Sequence, residues 1–260
     1  MNLFDTHAHY NDEKFDEDRE EIIRNTFISG ISEFVVAGYS IDSSKKALEI
    51  VEKHDNCYAI VGISPNNLED IKSENDIKLN IKEVEKIASN GRVVGIGEIG
   101  LDYYWNKEKK ELQQKVFIEQ IKLANKLDKP IIIHTREAIY DTLEIIKNNE
   151  VTKRGIFHCC PLNRELVKEA IKLGYYISLS GIITFKNAKN ADEIIKLIPE
   201  DKLLIETDSP YLSPEPLRGS RNTCINVKYV ANKIAITKNR TLEEIAEITN
   251  KNAKRIFDIK

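Results

Sequence analysis

The sequence predicts an α/β fold: a (β/α)8 TIM barrel whose active site lies at the C-terminal ends of the strands. Three observations predict it. Eight short apolar runs recur about every 29 residues along the 260-residue chain. Each gap between them holds an amphipathic helical stretch, so successive strands are joined by crossovers and run parallel. The runs are near-continuously aliphatic and β-branched, as strands buried on both faces require. An open doubly wound sheet would also alternate in this way. No glycine-rich phosphate turn follows the first run, however, so the barrel is preferred.

In chain order, strands are expected within residues 3–9, 35–37, 59–61, 92–98, 130–134, 155–158, 175–179 and 203–208. Helices are expected over 15–28, 42–53, 77–88, 112–127, 139–146, 166–173 and 194–198. The second of these starts at Asp42, a candidate N-cap, and the fourth aligns Val116, Phe117, Ile121 and Ala124 on one face. After Asp208 comes a proline-rich loop, 209–216, and then a basic one, 217–222. Two helices, 225–236 and 242–257, close the chain, the last capped by Thr241. There is no linker, repeat or low-complexity segment, so residues 1–260 are expected to form a single domain.

Composition narrows the function. With 39 basic and 42 acidic residues the net charge is −3, which offers no global basic surface for nucleic acid. Binding of that kind would need a local basic patch or metals facing phosphate. The four cysteines, Cys57, Cys159, Cys160 and Cys224, form no C-x-x-C pair and read as reduced thiols. No apolar run approaches the ~20 residues of a membrane helix. No basic n-region and apolar h-region precede the first strand, so the expected location is cytoplasmic.

The chemistry-bearing residues gather at strand ends. His7 and His9 are two apart at the end of the first run, so an extended strand points both the same way. His134 ends the fifth run and His158 the sixth, while Glu98 and Asp208 end the fourth and eighth. Only His54, at a helix end, stands apart and is expected on the solvated surface. On a barrel these six ends share one rim. Six donors exceed one tetrahedral site and suit two metals a few Å apart, with Glu98 bridging. Burying six such groups unpaired would be costly. Asp102 could orient a histidine or merely cap a turn, and Glu206 could support the site or pair with a buried base. Arg136, two residues after His134, and Arg218 and Arg221 in the basic loop are candidate phosphate contacts.

At these residues the sequence resembles the TatD family of metal-dependent deoxyribonucleases, within the amidohydrolase superfamily. The matching stretches are Asp5-Thr6-His7-Ala8-His9, Gly97-Glu98-Ile99-Gly100-Leu101-Asp102-Tyr103, His134-Thr135-Arg136-Glu137-Ala138 and Phe157-His158-Cys159. They continue with Leu204-Ile205-Glu206-Thr207-Asp208-Ser209-Pro210-Tyr211-Leu212 and Arg218-Gly219-Ser220-Arg221-Asn222. The resemblance implies that one metal takes His7, His9, Glu98 and Asp208, and the other Glu98, His134 and His158. It further implies hydrolysis of DNA phosphodiesters, 3′→5′, with two divalent ions such as Mg²⁺ or Mn²⁺. A His-rich site also accepts Zn²⁺, and single-stranded ends are expected because a pocket admits them without unpairing a duplex. The implied partner is DNA as substrate, with no membrane and no obligate protein partner.

The departures bear on substrate. Where the family carries Gly-x-His-Pro-His, this chain has Gly62-Ile63-Ser64-Pro65-Asn66. Ser64 and Asn66 can hydrogen-bond a phosphate but carry no positive charge. Cys160-Pro161-Leu162 and Thr223-Cys224 also replace the usual residues. The expected chemistry has Asp208 taking a proton from an activated water, with Arg136, Arg218 and Arg221 positioning the backbone. The competing enzyme reading is a metal-dependent hydrolase of a small ester, amide or phosphodiester. A metal-stabilised scaffold is a third reading, disfavoured by the retained Asp208.

Overall fold

The structure is a computed structural model that describes residues 2–260. Eight parallel strands alternate with helices, and their order in the sheet is the chain order: β1 (Leu3–Ala8), β2 (Ile31–Ala37), β3 (Cys57–Val61), β4 (Val93–Asp102), β5 (Ile131–Arg136), β6 (Gly155–Phe157), β7 (Tyr176–Leu179) and β8 (Leu203–Ile205). This is the expected (β/α)8 topology. The intervening helices are α1 (Arg19–Ile28), α2 (Ile41–Val51), α3 (Glu74–Ala88), α4 (Lys110–Lys126), α5 (Ile139–Asn148), α6 (Arg164–Lys172) and α7 (Ala191–Leu197), followed by α8 (Val227–Lys238) and α9 (Leu242–Phe257).

The chain forms two compact units. One runs to Val36 and resumes from His158 to Lys260; the other is Ala37–Phe157. In the first, β1 pairs with β2, with Leu3 opposite Ile31, and β7 pairs with β8, with Ile177 opposite Leu203. An isolated parallel bridge joins Ala8 to Ser209. The α9 helix covers this sheet, setting Phe257 against Phe4 with ring centroids 6.2 Å apart. In the second unit β3, β4, β5 and β6 pair in succession. Its core takes Ile60, Ile96, Ile99, Ile131, Ile133 and Phe157 from the strands and Val116, Phe117 and Ile121 from α4, all buried. Strands buried to this degree explain why their sequence runs lack alternation.

Several boundaries differ from expectation, each for a local reason. Ser40, not Asp42, caps α2: its hydroxyl accepts from the Ser43 N–H, and Asp42 sits in the first turn. The stretch from Phe15 is a short 3-10 turn (Glu13–Phe15), and α1 begins only at Arg19. The α3 helix starts three residues earlier than its first apolar residue, Ile77, because Ser73 caps it through the Asp76 N–H. Three strands stop short of their histidine or carboxylate, β6 among them, ending at Phe157 just before His158. β1 ends at Ala8, and β8 ends at Ile205, three residues before Asp208, whose backbone is left-handed at φ 56°. β4 instead runs on past Glu98 to Asp102. His54 is half-buried rather than solvated. The expected cap of α9 is present as a full capping box between Thr241 and Glu244.

Candidate metal-binding groups

In the unit containing both chain ends, β1 delivers His7 and His9 side by side, and the segment after β8 delivers Asp208. The Nε2 atoms of His7 and His9 are 3.3 Å apart. Asp208 Oδ1 lies 3.2 Å from His9 Nε2 and 3.9 Å from His7 Nε2. Donors about 2.1 Å from a shared ion sit roughly 3.0–3.5 Å apart in octahedral or tetrahedral coordination. Two edges of the triangle, 3.2 and 3.3 Å, fall in that range, while the 3.9 Å edge is longer and corresponds to a wider ligand–metal–ligand angle. The three atoms form a candidate divalent-metal group. Asp208 is held in place from the backbone, its N–H donating to the His7 carbonyl at 2.9 Å. Burial opposes its charge, but the hydrogen bond from His9 and the neighbouring His9, His158 and His7 outweigh this and keep the carboxyl below its usual range.

His158, just past β6, stacks on His7, with centroids 4.0 Å apart and rings 14° from parallel. Behind it is Glu206, fully buried, with Oε1 3.4 Å from His158 Nδ1. The same oxygen accepts from the Cys159 N–H at 2.6 Å. Glu206 thus supports a histidine and the turn that carries it. Asp5, also fully buried, accepts from the His7 N–H and from both the N–H and hydroxyl of Thr207. Burial nevertheless pushes its carboxyl up to about 7. Burial raises the thiols of Cys159 and Cys160, so both are protonated in the metal-free protein.

In the other unit β4 and β5 bring Glu98, Asp102 and His134 together. Gly100 stands opposite His134 in the register and Asp102 opposite Arg136. His134 Nε2 donates to Asp102 Oδ2 at 3.0 Å. His134 Nδ1 faces Glu98 Oε1, also 3.0 Å away. A proton on Nδ1 satisfies that contact in the metal-free protein, and the same two atoms, once both offer lone pairs, suit adjacent ligands of one metal. Asp102 is a hub. Its Oδ2 also accepts from Asn66 Nδ2, and its Oδ1 accepts from the N–H groups of Tyr104 and Trp105. Burial opposes its charge, but the bonds from His134, Asn66 and Trp105 prevail and hold the carboxyl down at about 2.

The remaining expected contacts are placed as follows. Arg136 ends β5, is exposed, and lies over the Tyr104 ring at 3.9 Å. Ser64 is buried and used within its own loop, donating to Asn67 and accepting from the Asn66 N–H. Asn66 is committed on both sides, to Asp102 and to Asn106. Arg218 donates to the Ser213 carbonyl and covers Phe185 at 3.8 Å. Arg221 forms an ion pair with Asp18 and donates to the Lys14 carbonyl, tying the basic loop to the segment before α1. Residues that the sequence reading missed do much of the positioning. Gln113 clamps the end of β4 through the Asp102 N–H and C=O, and Gln120 clamps the β3 loop through both groups of Ile63. Asn222 holds the loop after Asp208 by donating to the Thr207 and Tyr211 carbonyls. The signal for the glutamines was present: polar residues seven apart on the apolar face of α4.

Comparison with known proteins places the chain among similar folds and sequences. The crystal structure of YjjV, a TatD homologue from Escherichia coli K12, superposes with a TM-score of 0.92 at 25% identity, covering 99% of this chain and 98% of that one. YabD of Bacillus subtilis strain 168, an uncharacterized metal-dependent hydrolase, is 43% identical over 258 residues, 99% of each chain. YcfH of Escherichia coli K12, described in the same words, is 35% identical over 263 residues, 100% of this chain and 97% of its own. Fold and donor groups together define the class, a metal-dependent hydrolase on a (β/α)8 TIM barrel. The family model described as TatD related DNase matches residues 4–258, and the chain belongs to that family. Among the described residues no helix is long and apolar enough to cross a membrane.

Proposed function

We propose that the protein hydrolyses DNA phosphodiester bonds, working 3′→5′ from single-stranded ends, with both donor groups serving one dinuclear centre. His7, His9 and Asp208 would hold one metal, His134 and His158 the other, and Glu98 would bridge them. The observation that carries the reading is the donor triangle of His7, His9 and Asp208, in which His9 Nε2 lies 3.3 and 3.2 Å from its two neighbours, within reach of a shared divalent ion, in a chain of the TatD related DNase family. Bound metals, whether Mg²⁺, Mn²⁺ or Zn²⁺, would supply Lewis acidity to the phosphoryl oxygen and to the attacking water.

The chain's own residues do the rest. Asp208 accepts the water's proton at a carboxylate oxygen. Asp102 fixes the His134 tautomer so that Nδ1 faces Glu98. Arg136, exposed at the end of β5, binds the backbone phosphate, and Arg218 contributes from the basic loop. Contacts of this type position a strand without reading its sequence, so broad sequence tolerance follows.

The direct experiment is cleavage of a 5′-labelled single strand with each metal, beside Asp208→Asn and Glu98→Gln. A ladder shortening from the 3′ end, lost in both variants, supports the proposal. No cleavage in protein shown to hold metal refutes it. One observation favours the small-substrate reading: Asn66 carries no charge and is bonded to Asp102 and Asn106, so its loop offers phosphate no positive charge and no transferable proton. A panel of small esters, amides and phosphodiesters run on the same metal-loaded protein separates the two.

A further inference from the structure

The loop after β4 carries two consecutive exposed aromatic residues, Tyr104 at 50% and Trp105 at 63% relative exposure. Their rings meet edge to face, with centroids 4.8 Å apart. The Arg136 guanidinium lies 3.9 Å from the Tyr104 centroid and 5.6 Å from that of Trp105. The cluster is anchored, because both aromatic residues donate their backbone N–H to Asp102 Oδ1 at 3.0 Å. The other oxygen of that carboxylate holds His134, two residues before Arg136 on the same strand. Aromatic residues whose backbone is fixed in this way while their rings are left in water are not serving the core, and exposed aromatic groups of this kind mark contact surfaces.

The chemistry of the cluster selects its ligand. Indole, phenol and guanidinium all present flat faces on which a planar base stacks, and the guanidinium also pairs with phosphate. In a duplex each base is already stacked within its strand, so a protruding platform of this kind is filled by an unpaired base. We propose that Trp105, Tyr104 and Arg136 form a stacking platform for an unpaired nucleobase of the DNA strand, beside His134. The inference rests on the nuclease reading and deepens it, because it supplies a structural reason for preferring single-stranded ends.

Trp105 is the only tryptophan in the chain, so its emission reports on the platform alone. The metal-loaded, full-length protein is titrated with a short single strand whose phosphorothioate linkages slow hydrolysis. The same strand is then presented as a blunt duplex, and again with abasic residues at its 3′ end. The expected result is saturable quenching by the single strand, with clearly weaker response to the duplex and to the abasic strand. Trp105→Ala should raise KM for single-stranded DNA roughly tenfold with little change in kcat, as expected for one lost base–aromatic stack. Trp105→Phe should restore most of the affinity, which a merely structural role for the indole would not predict. Unchanged emission with a single strand that the wild-type protein cuts would overturn the platform and leave the nuclease reading intact. Equal quenching by intact and abasic strands would overturn it too. If DNA is not cut at all, the nuclease reading falls by the cleavage assay, while base-dependent quenching would still establish the platform.

Discussion

Asp102 accepts a 3.0 Å hydrogen bond from His134 Nε2, and this bond decides which imidazole nitrogen turns to Glu98. A histidine free to flip or change tautomer would be a poorer ligand, since part of each binding event would go into selecting one orientation. Asp102→Ala should therefore lower affinity for the metal beside His134 by about 10–100-fold, the usual scale for loss of a carboxylate behind a ligating histidine. Competition with a chromogenic chelator measures this directly. Unaltered affinity would show that the β4–β5 packing, not the carboxylate, sets the ring.

Gly100 makes that pairing possible. Its φ is +135°, and a Cβ there would fall 2.0 Å from the His134 carbonyl oxygen. The backbone of β5 approaches β4 so closely because this position has no side chain. Gly100→Ala should displace His134, destabilise the fold by about 3 kcal/mol or more, and weaken metal binding with it. Urea unfolding together with metal content tests both effects. A variant of normal stability that still holds its full complement of metal would contradict the close-approach argument.

The strands and their order were legible in the sequence because parallel strands buried on both faces leave unbroken aliphatic runs such as Ile131-Ile132-Ile133. The donors were legible because histidine is scarce here, and four of five sit where such runs end. What escaped was the polar scaffolding. Gln113 and Gln120 mimic backbone amides for loops distant in sequence, and Asn66 pairs with Asp102 across 36 residues. The place of the glutamines on the apolar face of α4 marks them as buried, but no local pattern names their partners. The α2 boundary was missed for a smaller reason. Ser40 and Asp42 both suit an N-cap, and only the backbone shows that Ser40 is extended and accepts from Ser43.

The capping box at Thr241 offers a stability test far from the donors in sequence. Thr241 accepts from the Glu244 N–H at 3.1 Å, and the Glu244 carboxylate accepts from the Thr241 N–H at 2.8 Å. It starts the helix that covers β1 with Phe257. Thr241→Ala should cost about 1 kcal/mol, and Thr241→Ser much less, because serine keeps the accepting hydroxyl. Chemical denaturation of the two variants checks this, and metal content should be the same in both.

The pH dependence of Asp102 follows from its bonding. In the metal-free folded protein its carboxyl is held at about 2, against 3.8 ordinarily. A carboxyl depressed by folding adds stability that is complete above 3.8 and disappears as pH falls through 2, because the unfolded chain takes up the proton first. Wild-type protein should therefore exceed Asp102→Asn in unfolding free energy at neutral pH, and the difference should shrink as pH drops from about 4 to 2. Urea titrations at a series of pH values, read by Trp105 emission, measure the gap. The reporter is well placed, since the Trp105 N–H is itself bound to Asp102. A gap that stayed constant across this range would mean that Asp102 acts only as a neutral hydrogen-bonding shape, and that its charge does not hold the His134 tautomer.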